Sequence, residues 1–157
     1  MKEQLIKWAE AGDGDSMYKL SKIYQAEKDF SKYQYWLEKS ARGTKNFFAM
    51  KELADNLRKE ENFSAARELY KEIVEISGDT EAMENLLDIS QNDTETLKFI
   101  LSKIDGMYNE IYLRDYQILR RTWEFGTRRH NECTIQTLQA VERRRIASRI
   151  RKLLEKN

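Results

Sequence analysis

Gly12-Asp13-Gly14-Asp15-Ser16-Met17-Tyr18-Lys19-Leu20 reads GDGDSMYKL, and 66 residues later Gly78–Leu86 reads GDTEAMENL. The shared skeleton is Gly-Asp, an acid, a small residue, Met and a Leu three positions on. A middle member, FFAMKEL (Phe47–Leu53), stands in phase with both. Met17, Met50 and Met83 are 33 residues apart, as are Leu20, Leu53 and Leu86. Phe30 and Phe63 keep the same interval. Self-similarity at a fixed period marks a repeat built from one supersecondary unit. The phrase therefore predicts a helix junction, in which Gly closes one helix and Asp opens the next.

Each unit reads as two helices. Met17, Leu20 and Tyr24 form one apolar stripe, Asp29 an N-cap, and Phe30, Tyr33, Leu37 and Ala41 a second stripe. The middle unit repeats this with Met50, Leu53 and Leu57, a cap at Asn62, then Phe63, Ala66, Tyr70 and Ile73. The third has Met83, Leu86 and Ile89, a break at Gln91-Asn92-Asp93, then Leu97, Ile100, Leu101 and Ile104; its turn is about two residues shorter. Leu5, Ile6, Trp8 and Ala9 place a short helix ahead of the first unit. All six Gly (12, 14, 43, 78, 106 and 126) are expected where helices end.

The composition favours helix throughout. The 157 residues include no Pro and only two Val, Val74 and Val141. No apolar run reaches the roughly 18 residues that span a membrane, and the first ten residues carry no apolar signal core. A single Cys forms no internal disulfide. A cytoplasmic protein is expected. The net charge of +1 hides a split: residues 1–113 carry 16 Lys/Arg and 22 Asp/Glu, net −6, and residues 114–157 carry 12 and 5, net +7. Two parts with different roles, or with mutual attraction, follow from that asymmetry.

Leu20, Ser21, Tyr24, Asp29, Trp36, Lys39, Ala41 and Gly43, with AEAGD at residues 9–13, resemble a Sel1-like repeat. Leu53, Ala54, Leu57, Ala66 and Tyr70 resemble the related tetratricopeptide repeat. Tyr33 departs from the pattern, where Ala is usual, as does Leu87, where a small residue is usual. The resemblance covers roughly residues 1–104. It implies an all-α short α-solenoid: an N-terminal helix and three degenerate hairpins in a right-handed superhelix, followed by a basic helical extension over 105–157 that packs on the array. It also implies a concave face formed by the first helix of each pair. The residues flanking the signature there are Asp15, Tyr18, Lys22, Phe48, Lys51, Asp55, Arg58, Glu81, Glu84 and Asp88, a mixed-charge set suited to a protein or peptide partner. The same spacing also describes an ordinary solvated helix face. Compact proteins of this family include bacterial immunity proteins that bind and block a cognate toxin, so an adaptor or inhibitor is implied.

The tail leaves the repeat. Met107, Tyr108, Ile111, Tyr112, Leu119 and Trp123 predict an aromatic-rich helix, and EFGTRRHN interrupts it. A final amphipathic helix of about 22 residues follows, with Ile135, Leu138, Ile146, Ile150 and Leu153 on its stripe. Arg144 and Arg151 sit away from that stripe; Arg143, Arg145, Arg149 and Lys152 flank it. Such a helix can pack on the array with its Arg solvated, dimerise or bind an acidic protein surface, or contact nucleic-acid phosphates. No DNA- or RNA-reading motif accompanies it.

No catalytic constellation emerges, and no enzyme is expected. His130 and Cys133 are the only residues of their kind, too few for a zinc site. Arg128 and Arg129 could lower the thiol pKa, but no oxyanion loop is visible. Neither Gly-rich nucleotide motif occurs. GDGD lacks the alternating acids and closing Glu of a calcium loop. No cofactor, metal or membrane partner is expected.

Overall fold

The computed structural model describes residues 2–107 and 132–155, with side chains over 2–107 and 140–155. The described chain is all-α. Its helices are α1 (Lys2–Glu10), α2 (Gly14–Ala26), α3 (Phe30–Glu38), α4 (Phe47–Lys59), α5 (Phe63–Ser77), α6 (Thr80–Ile89), α7 (running through 94–107) and α8 (Glu132–Leu154). A short π-helical turn, Lys39–Gly43, follows α3. None of these helices is long and apolar enough to cross a membrane. Tyr108, Ile111, Tyr112, Leu119, Trp123, Gly126 and His130 lie outside the described residues, as do the side chains of Cys133, Ile135 and Leu138.

The junctions are built as the opening phrase predicts. Asp13, Asn46 and Asp79, 33 residues apart, are the N-caps of α2, α4 and α6. Their side chains accept from the backbone N–H of Ser16 (3.0 Å), Ala49 (3.1 Å) and Ala82 (2.7 Å). Each cap satisfies one of the N–H groups that a helix start leaves without an internal partner. The residue before each is left-handed: Gly12 (φ +98°), Lys45 (+52°) and Gly78 (+62°). The turns inside the hairpins also recur. Lys28 and Glu61 have φ of +60° and +59°. Asp29 N–H bonds to Tyr24 O, and Asn62 N–H to Leu57 O, both at 2.9 Å, closing each helix in a Schellman turn. Asp29 and Asn62 then cap α3 and α5. Asp93 caps α7 two residues ahead of that interval, because α6 has 10 residues where α2 and α4 have 13 while the turn after it, 90–93, is one residue longer than 27–29 and 60–62; the shortening expected in the turn lies in the helix.

Two glycines differ from expectation. Gly14 opens α2 and does not close α1; a Cβ there would lie 2.8 Å from Thr44 Cβ, so Gly permits close approach to the turn after α3. Ser40 Oγ donates to Gly14 O at 2.8 Å across that approach. Gly106 lies within α7, which continues past the end expected near Ile104.

The chain divides into two compact units, Met1–Ile73 and Val74–Asn157. The division falls inside α5. In the first unit Ala9, Met17, Leu20, Tyr24 and Trp36 form a core that Ile6 and Tyr33 complete. Met50, Leu53, Ala66, Tyr70 and Ile73 are also buried. In the second, Met83, Leu86, Leu87, Leu97, Ile100, Ile104, Ile146 and Ile150 are buried. Leu87, the departure from the small-residue pattern, has no exposed surface. Phe30 and Phe63 are corrections to the apolar stripes: they are 65% and 44% exposed.

Candidate functional site

Within the first unit, α2, α3 and α4 converge on one carboxylate. Glu52, on α4, accepts from the hydroxyls of Tyr18 (2.9 Å, Oε2) and Tyr33 (2.9 Å, Oε1). Lys22 Nζ reaches Oε1 at 2.8 Å and Oε2 at 3.1 Å. Asn56, one turn on, donates to the Tyr33 hydroxyl at 2.7 Å. Tyr18 and Lys22 share a face of α2 because they are four residues apart; Glu52 and Asn56 share one on α4 for the same reason. Burial pushes the Glu52 carboxyl up, but hydrogen bonds from Lys22, Tyr33 and Tyr18 outweigh it and hold the pKa below 4.5. Burial and the Glu52 carboxylate push the Tyr18 and Tyr33 phenols up to about 12.

An aromatic pair adjoins this network. Phe48, in the first turn of α4, stacks on Tyr18 with centroids 6.2 Å apart and planes inclined by 21°. Phe47 meets Phe48 edge-on at 5.6 Å, and Lys51 Nζ lies 6.0 Å from the Phe47 ring centre. Phe48 is 62% exposed. Hydrogen bonds across the first unit hold other expected partner residues. Asp15 accepts from Asn46 Nδ2 at 2.6 Å, and Asp55 from the Tyr70 hydroxyl at 2.6 Å. Burial, then Asp55, raises the Tyr70 pKa, and the Arg58 guanidinium nearby partly offsets that rise. The structure therefore brings together Tyr18, Lys22 and Phe48. Much of the polar capacity of Asp15, Lys22 and Asp55 is used within the chain.

Glu52 was not among the residues singled out from sequence, and Tyr33 was named there as a stripe residue and a departure from the repeat, not as a site residue. The one available signal was the bulky Tyr33 at a position where the resembled repeat has Ala. Its ring packs against the core while its hydroxyl reaches Glu52.

The remaining expected residues lie in the second unit. Glu81 is exposed and Glu84 half-buried on α6. Asp88 accepts from Arg149 Nη2 of α8 at 3.1 Å, so one expected partner residue meets another. Arg143 is a correction. It is 9% exposed, with Nη2 3.5 Å from Gly78 O, and faces the carbonyl end of α5 and not solvent. Arg144, Arg145 and Arg151 are exposed; Arg145 lies 3.6 Å from Glu142. Among the described residues, no group of three or more His, Cys, Asp or Glu is placed to hold a metal ion.

Comparisons add no relative: no family model, no curated protein and no solved structure matches this chain.

Proposed function

We propose that the protein is a non-catalytic protein-binding module, an adaptor or inhibitor built on a short array of helical hairpins. The recurrence of caps and left-handed turns at 33-residue intervals supports the array. The observation that carries the binding reading is Phe48. A large ring, 62% exposed, stands on Tyr18, whose hydroxyl is fixed by Glu52. Exposed aromatics are common singly. An aromatic anchored on a fixed base and rimmed by polar groups has the form of an interface hot spot, and its preorganisation lowers the entropic cost of docking.

The sharper form of the reading is an inhibitor of a basic partner, such as a toxin neutralised by an immunity protein. The net −6 of residues 1–113 favours encounter with a cationic surface. Nucleic-acid binding by the Arg-rich helix is the second reading. It is less favoured because Arg143 is buried and Arg149 is engaged by Asp88, which reduces the phosphate contacts α8 can offer.

The test is capture of a partner by the intact chain, its identification, and measurement of Kd with the wild type and with Phe48→Ala. The expected loss is about thirtyfold, the scale of a hot-spot truncation of about 2 kcal/mol. Equal affinity for both would remove Phe48 from the interface and with it this reading.

A further inference from the structure

We propose that the perpendicular rings of Tyr35 and Trp36, near the end of α3, form a corner that receives a quaternary ammonium group, carried by a trimethylated lysine of a protein partner. The ring centroids are 5.1 Å apart and the planes stand at 79°. The chain's own Lys39 already occupies the corner. Its Nζ lies 5.6 Å from the Tyr35 centroid and 5.2 Å from that of Trp36. A cation within about 6 Å of a ring centre is drawn to the negative face of the π-system, and Trp draws it most strongly. Two faces meeting near a right angle address one cation at once. Trp36 is 9% exposed and belongs to the core of the first unit, whereas Tyr35 is 55% exposed. One wall is therefore fixed and the other is open to an incoming side chain.

The order of residues recurs at Phe47, Phe48 and Lys51, again an aromatic pair with Lys four positions after its first member. There Lys51 Nζ stands 6.0 Å from the Phe47 ring centre, so spacing alone does not seat an ammonium as closely as at Lys39. The chemistry of the corner selects the ligand class. A primary ammonium is a compact, strongly hydrated charge with three donors. The hydrogen bond that Lys39 Nζ makes to the Tyr35 hydroxyl is long, 3.5 Å. A quaternary ammonium has no N–H to satisfy and sheds water more readily, so it displaces Lys39 from the rings. Ser31, Gln34 and Glu38 are exposed along the same helix. That polar surface suits a polypeptide, and not the lipid headgroup layer that an apolar helix face enters. The corner shares no residue with the Phe48 face and does not rest on that reading.

The probes are three short synthetic peptides. One carries a trimethyllysine, one an unmodified Lys, and one a tert-butyl carbon in place of the trimethylammonium nitrogen. Each is titrated with the full chain and followed by the proton signal at its side-chain end. Phosphatidylcholine vesicles are tested in parallel by sedimentation. The trimethyllysine peptide is expected to bind about fivefold more tightly than the Lys peptide, and the neutral one to bind more weakly still. Lys39→Ala, which removes the resident cation, should tighten trimethyllysine binding about threefold, a gain that loss of folding cannot mimic. Lys19→Ala makes the same charge change on α2, outside the corner, and should alter it by less than about 1.5-fold. Tyr35→Ala should weaken binding about fivefold, and Tyr35→Phe, which keeps the ring, should hold it within about twofold. Phe48→Ala should leave peptide affinity unchanged, so failure here is separable from failure at the aromatic face. Equal binding of the neutral peptide would show an apolar contact alone and overturn the corner. Equal gains in Lys39→Ala and Lys19→Ala, no loss in Tyr35→Ala, or binding to vesicles without binding of the methylated peptide would overturn it equally.

Discussion

The hydroxyl of Tyr33 lies 2.9 Å from Oε1 of Glu52, joining α3 to α4. Glu52 also holds Tyr18 and Lys22, so one half-buried carboxylate links α2, α3 and α4. Removing one donor differs from removing the acceptor. Tyr33→Phe deletes the hydrogen bond to Glu52 and the one from Asn56 and should cost about 1–2 kcal/mol. Glu52→Ala strands two phenols and an ammonium and should cost about 2–3 kcal/mol. Urea unfolding of the two variants checks the order, which a purely peripheral network would not produce.

The same network sets a pH dependence. Glu52 has a folded pKa below its ordinary 4.5. Its contribution is therefore complete above about pH 4.5 and is lost as pH falls through the lower folded value. Asp13 and Asp29 share this direction, held down by hydrogen bonds from Ser16 and from Lys32 respectively. Stability should fall as pH drops below about 4.5, and Glu52→Gln should flatten that fall without abolishing it.

At the alkaline end the sign reverses. The Tyr18 and Tyr33 phenols are raised from 10 to about 12. Folding favours their neutral forms, so their contribution is complete below pH 10 and lost as pH rises towards 12. Absorbance titration at 295 nm should show Tyr18 and Tyr33 among the late-titrating tyrosines. Tyr18→Phe and Tyr33→Phe should each remove late amplitude.

Backbone conformation yields a gain of stability. Glu61 is exposed and left-handed at φ +59°. Glu61→Gly should stabilise by about 0.5–1 kcal/mol, because Gly takes this conformation without a Cβ penalty. Gly14→Ala should do the opposite despite the better helix propensity of Ala, since its Cβ meets Thr44. Thr44→Gly in the same chain should relieve the loss. Thermal unfolding of the single and double variants decides both points.

Arg143 and its neighbour separate structure from surface on α8. Arg143→Ala removes a buried guanidinium that faces Gly78 O and should cost about 1–3 kcal/mol. Arg144→Ala, one position on and exposed, should change stability by about 0.5 kcal/mol or less. Equal effects in denaturant melts would contradict this placement.

The helices and their ends were legible in the sequence because the signals are local. Asp13, Asp29, Asn62 and Asp79, read as helix starts, each cap through a bond to a backbone N–H three residues on, and Asn46, not read as one, does the same. Met17, Met50 and Met83 share their 33-residue phase with those caps, and all are buried. Lys28, Lys45 and Glu61 were less legible as left-handed turns, since only Gly advertises that conformation by its identity.

Contacts across the chain were decided by tertiary structure alone. Tyr33 and Glu52 are 19 residues apart, Asp88 and Arg149 61, and Arg143 and Gly78 65. Spacing along one helix shows which residues share a face, but not which face another element covers. Arg143 thus read as a flanking cation and is buried, while Phe30 and Phe63 read as core and are exposed. By itself the sequence determined an all-α chain with helix junctions at regular intervals, through capping bonds and apolar periodicity that act within a few residues. Packing determined which side chains are used up inside the chain and which, like the aromatic Phe48 and the cationic Arg151, still face outward, because burial is a property of the assembled elements.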